Sequence, residues 1–342
     1  MIKSSQVSPL RIFWVSALLT ILLGAWVAFH GGPVALWLFA VLVVLEVTFS
    51  FDNAVINSKI LAKLSPFWQK LFLTVGIFFA VFVVRFVLPI FIVMVSSGQS
   101  FTSVVDLAIN HPAEYSVTLH SVAPLINAFG GTFLVMIGIS YFMDRSKDIH
   151  WLKRTEKWLS KFGSYKSFKI LIMLAVALLL YATTSPEYRV VVLFSSVIGV
   201  VLHIALDVFG RFFERRQPKG TQLVGAAAFA SFIYLNILDA SFSLDGVIGA
   251  FAITPDILLI MAGLGAGALW VRSLTVYLVR TGALGKYKYI EHGAHWAILA
   301  LGIVMLLKLY GIELPEWMVG SLGLVFIVTA VVSSVAEARR GE

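Results

Sequence analysis

Apolar positions run with little interruption through ten stretches of the chain, roughly 11–30, 33–61, 68–97, 122–143, 168–184, 189–210, 221–250, 256–280, 291–310 and 316–336. Each approaches the ~20 residues that a membrane-crossing helix needs, and polar positions gather in short clusters between them. The pattern predicts an all-α polytopic membrane protein with about ten transmembrane helices. The fifth stretch, whose apolar core is only Ile170–Tyr181, reads either as a full span or as a re-entrant segment. The first, Ile12–Phe29, is longer than a signal-peptide core and has no small-residue cleavage pattern before His30, so it reads as a retained helix.

Charge agrees with this division. Lys and Arg fall almost entirely in alternate loops: Lys3 and Arg11; Lys59, Lys63 and Lys70; Arg145 through Lys169; Arg211, Arg215, Arg216 and Lys219; Arg280, Lys286 and Lys288; Arg339 and Arg340. The opposite loops hold only Arg189 and Lys308, while Arg85 and Arg272 lie inside spans. Because cytoplasmic loops collect positive charge, both termini are expected in the cytoplasm and the chain in the plasma membrane.

Composition narrows the classes further. The mean hydropathy is +0.93, and charged residues make up 13% of the 342, about half the usual share for a soluble domain. A net charge of +8 sits in the loops, where it faces lipid headgroups; no nucleic-acid partner is expected. The absence of cysteine excludes thiolate sites and disulfides. Inner segment 144–169 places Trp151, Thr155, Trp158 and Phe162 along one helical face among lysines and arginines, the pattern of a helix lying on anionic inner-leaflet lipids. Outer segment 96–121 carries Asp106, His111, Glu114 and His120 without Lys or Arg, and reads as a solvated loop or a weak cation-collecting surface.

Self-comparison gives the main signal. Leu45-Glu46-Val47-Thr48-Phe49-Ser50-Phe51-Asp52-Asn53 matches Leu238-Asp239-Ala240-Ser241-Phe242-Ser243-Leu244-Asp245-Gly246 nearly position by position. The next span of each copy has a glycine nine residues before an arginine, Gly76 before Arg85 and Gly263 before Arg272, and a looser echo pairs the regions of Gly138 and Gly302. Five spans separate the motifs, so they run in opposite directions through the membrane. The organisation expected is a 3+3 inverted repeat: an extra helix at 1–32, a first repeat at 33–143, a basic segment with two linking helices at 144–220, a second repeat at 221–310, and a final helix with its tail at 311–342. Inverted repeats with a site at their interface are a transporter architecture.

Four carboxylates inside apolar spans, Glu46, Asp52, Asp239 and Asp245, each cost at least about 2.5 kcal/mol on insertion and should face the bundle interior or a wet cavity. With Arg85 and Arg272 they leave two negative charges, which a dication would neutralise. On a regular helix Glu46, Ser50, Asn53 and Asn57 share one face, and Asn236, Asp239 and Ser243 another. Asp52 and Asp245 stand about 120° away. Either they point at the neighbouring helix, where Arg85 and Arg272 could pair with them, or the helices unwind at the motifs and free backbone carbonyls. Metal ligation by Glu46, Asp52, Asn53, Asp239 and Asp245, helped by Ser50, Asn57, Asn236 and Ser243, would offer oxygen alone and suit Mn²⁺, Ca²⁺ or Mg²⁺. A proton relay and an internal salt bridge such as Asp52–Arg85 are the other readings. His203 with Asp207, and His295 with Glu291, fit either a cation path or local hydrogen bonds. Gly263, Gly265 and Gly267 lack the following Lys-Ser/Thr of a phosphate loop and read as close helix packing.

At these motifs the sequence resembles the TerC family of integral membrane proteins, over spans two to four and seven to nine. The resemblance implies a divalent-cation exporter, with manganese efflux the associated activity, and carries the family's acidic-motif residues over to Glu46, Asp52, Asn53, Asp239 and Asp245. Asp239 stands where a Glu is more usual and Gly246 where a hydroxyl residue is more usual. The expectation is a transporter, not an enzyme, with no cofactor beyond its transported ion. Its partners would be membrane lipids and a divalent metal ion. Competing readings are a transporter of protons or other ions, a non-transporting membrane partner in a stress complex, and an intramembrane aspartyl protease. The last is disfavoured because each Asp has its own polar neighbours.

Overall fold

The computed structural model describes residues 8–163, 167–214 and 222–340. Lys3, Lys166, Arg215, Arg216 and Lys219, counted above among the basic positions, lie outside them. The described chain is helical: α1 (Pro9–Phe49), α2 (Phe51–Leu61), α3 (Pro66–Phe78), a π-helical segment (Phe79–Val87), α4 (Leu88–Ser97), α5 (Phe101–Asn110), α6 (Pro112–Ser121), α7 (Ala123–Phe142), α8 (Lys153–Phe162), α9 (Phe168–Thr183), α10 (Arg189–Glu214), α11 (Gly225–Phe251), α12 (Ile257–Thr281), α13 (Ala283–Lys286), α14 (Ile290–Lys308) and α15 (Glu316–Arg340).

Eight stretches among the described residues are long and apolar enough to cross a bilayer, α3 through α4 counting as one. The chain is therefore a polytopic all-α membrane protein. Two features separate eight from the ten expected. α1 is interrupted at Gly32, whose φ of 72° and ψ of −168° are open to glycine and are followed by Pro33. The two arms on either side of Gly32 lie against each other, since a Cβ on Gly24 would stand 3.3 Å from the Phe39 ring. α9, the fifth stretch, has 16 residues, about 24 Å at 1.5 Å per residue, less than the ~30 Å hydrocarbon thickness.

The chain folds into two compact units that are each discontinuous in sequence, Met1–Ala123 with Arg216–Ala283, and Pro124–Arg215 with Leu284–Glu342. Each three-span segment is thereby divided in the same way. The motif helix and the one after it fall in the first unit, and the third helix, α7 or α14, falls in the second.

In the first unit both arms of α1 pack on α12. Ser16 Oγ donates to Leu269 O at 2.9 Å and lies 2.7 Å from Ser273 Oγ, and Trp270 Nε1 donates to Thr20 Oγ1 at 2.9 Å. The glycines of α12 serve three different neighbours: a Cβ on Gly263 would lie 2.5 Å from Leu42 Cβ, one on Gly265 2.9 Å from Val81, and one on Gly267 2.5 Å from Glu46 Cβ. On α5 and α6, Asp106, His111, Glu114 and His120 are exposed, with Asp106 accepting from Asn110 at 2.7 Å. They form a solvated surface, while Tyr115 turns inward against Phe251.

In the second unit α7 and α14 meet through Gly131 and Gly302, where a Cβ on either would stand 3.0 Å from the other's carbonyl oxygen. On α8, Thr155 and Trp158 point outward, and the buried residue is Glu156. Its carboxylate accepts from Trp151 N at 2.9 Å, Leu152 N at 3.3 Å and Trp296 Nε1 at 3.1 Å, and it sits 2.9 Å from His292 Nδ1 and 3.8 Å from His150 Nδ1. Burial pushes this carboxyl's pKa up, but the hydrogen bonds from His292, Trp296 and Leu152 outweigh it and leave the group below the ordinary carboxylate range.

Two outcomes follow from this packing. Gly267→Val forces its side chain into Glu46 and the Val43 carbonyl, 3.0 Å away, and should destabilise the protein by about 1–3 kcal/mol, read as a lowered unfolding temperature in detergent. A carboxyl with a depressed folded-state pKa stabilises above its unfolded value and loses that contribution as pH falls through the folded one. The unfolding-temperature gap between wild type and Glu156→Gln should therefore be present above about pH 4.5, the ordinary glutamate value, and shrink below it. A gap that ignores pH would show that the ionised carboxylate is not what holds α8.

Candidate functional site

Two departures from α-helical regularity aim the polar side chains of the first unit. α1 stops at Phe49, and Ser50 takes φ −101° and ψ 15° before α2 begins. Hydrogen bonds from Ser50 N to Glu46 O at 3.0 Å and from Ala54 N to Ser50 O at 3.2 Å persist, so the chain bends at a single residue. The second motif has no such break, since α11 runs continuously through Phe242-Ser243-Leu244-Asp245. The unwinding considered for both motifs is thus confined to Ser50.

The second departure is the π-helical segment Phe79–Val87, which carries Arg85. Its wider turn lets Arg85 Nη1 donate to the carbonyl of Ala80, five residues back, at 2.6 Å. The matching stretch of α12 around Arg272 stays α-helical.

Both arginines reach an acid of their own repeat. Arg85 Nη2 donates to Glu46 Oε1, which also accepts from Ser50 Oγ at 2.9 Å. Arg272 Nη2 donates to Asp239 Oδ2 at 2.6 Å and its Nη1 to Phe72 O at 2.9 Å, with the guanidinium carbon 4.2 Å from the centroid of the Phe72 ring. The pairing therefore involves the first acid of each motif. A salt bridge between Asp52 and Arg85 does not form: the guanidinium takes Glu46, as Arg272 takes Asp239 on the unbroken α11, while Asp52, in the first turn of α2, accepts from Asn53 N at 3.0 Å. Glu46, Arg85 and Arg272 are each 3% exposed; removing one partner of so buried a pair costs about 3–5 kcal/mol.

The motifs also meet each other. Asn57 Nδ2 donates to Asp239 Oδ1 at 2.9 Å, and a Cβ on Gly246 would lie 3.9 Å from Glu46 Oε2. Position 46 therefore lies near 246, and 57 beside 239, an antiparallel crossing. A polar cavity of about 10 Å³, roughly the room of one water centre, lies there, lined by Glu46, Ser50, Asn53, Asn57, Asp239 and Ser243 together with Arg85 and Arg272. Asp52, Asp245 and Asn236 are buried but do not line it. The side-chain oxygens of Asn53 and Asn57 have no hydrogen-bond partner, and neither do Asn236 Oδ1 or the Nε atoms of the two arginines. Unpaired buried acceptors facing carboxylates suit a hard cation. Among the described residues no three of His, Asp or Glu converge as a metal-holding group, so two carboxylates would need these amide and hydroxyl oxygens to complete a shell.

The remaining sequence candidates resolve locally. His203 Nε2 lies 3.1 Å from Ser140 Oγ, Asp207 accepts from Arg211 at 2.7 Å, and His295 Nδ1 lies 2.7 Å from Glu291 O with its ring stacked 3.5 Å from that of Tyr141. Sequence reasoning missed Phe72, which gives Arg272 both a carbonyl and a ring face. Its only signal was Gly76, four residues on, where a Cβ would stand 2.6 Å from Arg272 Nη1.

No curated protein and no solved structure matches the chain. The model of the family described as "Protein of unknown function (DUF475)" matches residues 51–341, taking in α2, both buried arginines and the whole second motif, and the chain belongs to that family.

Proposed function

We propose that this protein is a transporter of a divalent metal cation, with Mn²⁺ favoured. The observation that carries the reading is the cavity where Glu46 and Asp239, at equivalent positions of the two motifs, stand with the unpartnered amide oxygens of Asn53 and Asn57. The donor set is oxygen throughout and favours Mn²⁺, Ca²⁺ or Mg²⁺ over soft ions. With no cation bound, Arg85 and Arg272 supply two positive charges to two carboxylates. An arriving dication brings the same charge, so it exchanges for the guanidiniums without changing the net charge of the site.

The architecture in this reading is ten spans, obtained by counting the two arms of α1 separately and including α9. Segments 33–143 and 221–310 are inverted repeats. The like division of both segments between the two compact units supports that assignment. Export as the direction, with both termini cytoplasmic and the plasma membrane as location, rests on the TerC resemblance and on the one-sided basic loops, whose partners are anionic headgroups. Closed ion pairs also suit a non-transporting membrane partner, and flux separates the two.

The test is uptake of Mn²⁺, Ca²⁺, Mg²⁺ and Zn²⁺ into vesicles reconstituted with purified protein. Wild type should move Mn²⁺, with Zn²⁺ slower. The paired replacements Glu46→Gln with Arg85→Gln, and Asp239→Asn with Arg272→Gln, keep each site uncharged and similar in size. Each should cut Mn²⁺ flux at least about tenfold, equivalent to roughly 1.4 kcal/mol, while the protein stays monodisperse. Wild-type flux in both variants, or flux of Zn²⁺ alone, would refute the reading.

A further inference from the structure

The second unit carries a side-chain cluster for which metal transport has no use. On α8, Lys153, Lys157 and Lys161 form a row at four-residue spacing with Arg154 beside it. All four are exposed, and Trp158, next to the row, is 57% exposed. The opposite face inserts Glu156, 1% exposed, between His292 and Trp296 in the first two turns of α14. The helix is thus held to α14 on one side through His292 and Trp296 and turned outward with four cations and an indole on the other.

Its attachment fixes where that face can go. Five residues separate α8 from α9, a reach of less than ~20 Å, and Phe162 stacks on Phe168 across the gap with ring centroids 5.1 Å apart. α8 follows the membrane helix α7 and precedes the apolar helix α9, so it stays close to the end of the apolar layer. Lysine, arginine and tryptophan together at that depth complement lipid headgroups of negative charge. A hydrated helix needs neither the exposed Trp158 nor a buried carboxylate to set its orientation.

We propose that α8 is a docking element for an anionic bilayer surface, and that Glu156 transmits its docked position to the head of α14. Lipid charge acts on the outer face of α8, and the hydrogen bonds from His292 and Trp296 make α14 move or stiffen with it. The link is independent of whether the first unit carries metal.

The chain has no cysteine, so Thr155→Cys takes a single environment-sensitive fluorophore beside Trp158. Labelled full-length protein is placed in vesicles of phosphatidylcholine, with and without a third of phosphatidylglycerol. The anionic lipid should shift the emission to the blue and expose the probe to a lipid-borne quencher. It should also slow amide hydrogen exchange over residues 290–294 by about tenfold. Lys153→Glu, Arg154→Glu, Lys157→Glu and Lys161→Glu combined should lose both responses. Glu156→Ala should lose the exchange response. Unchanged probe emission in wild type with anionic lipid, or a quadruple variant that still responds, overturns the docking. Exchange at 290–294 that ignores lipid charge in wild type, or still follows it in Glu156→Ala, overturns the link.

Discussion

Neutralising charge in an apolar interior is the constraint on which the first unit depends. A carboxylate or guanidinium alone at the centre of a membrane helix costs at least about 2.5 kcal/mol on insertion scales, so Glu46 and Asp239 are tolerated only beside Arg85 and Arg272. Several otherwise unrelated features serve that requirement. Gly267 removes a Cβ so that the stem of Glu46 can lie on α12, and Gly76 does the same for the guanidinium of Arg272. The π-helical turns give Arg85 a carbonyl at Ala80, and Phe72 gives Arg272 a carbonyl and a ring. Close helix packing and charge pairing are one arrangement here, since separating the helices would strand four charges.

The two motifs solve the same charge problem with different backbones. The first bends at Ser50 and meets a π-helical partner; the second is an unbroken helix facing an α-helical one. Sequence likeness between the copies therefore does not extend to identical local geometry. If the chain is the inverted-repeat carrier proposed above, such unlikeness would let its two halves hold the site open to one side at a time. Irregular backbone at membrane depth is tolerated only where protein surrounds it, and both irregular stretches lie against α11 and α12.

Legibility in the sequence followed how local each feature is. Most of the apolar runs and the acids with their arginines are written in short stretches, and the structure contains them as apolar helices and buried ion pairs. Partner choice was not readable. The 100° arithmetic set Asp52 about 120° from Glu46, and Asp52 does stay off the cavity that Glu46, Ser50, Asn53 and Asn57 line, but it could not say which acid each arginine takes. Glu156 was hidden for another reason: an acid within a run of lysines reads as solvated, and its donors on α14 lie more than 130 residues away. On α8 the spacing of Trp158 and Thr155 gave the outward face, but nothing local marked Glu156 as the inward one.

The resting charge of the cavity bears on which ions it can take. Two guanidiniums matched to two carboxylates leave no net charge, so an entering ion competes with arginines already in place. A monovalent cation replaces one of them and leaves the other pair closed, which keeps the site nearly as it was. A dication replaces both and draws ligands from both motifs at once, because Glu46 comes from one and Asp239 from the other. Binding that engages both halves together can change how they sit in the membrane, whereas binding confined to one cannot. In the proposed transport, selection for charge two would follow from this pairing before ionic radius or ligand hardness enters. In the same proposal the unpartnered oxygens of Asn53 and Asn57 would add oxygen donors alone, a set that prefers hard ions.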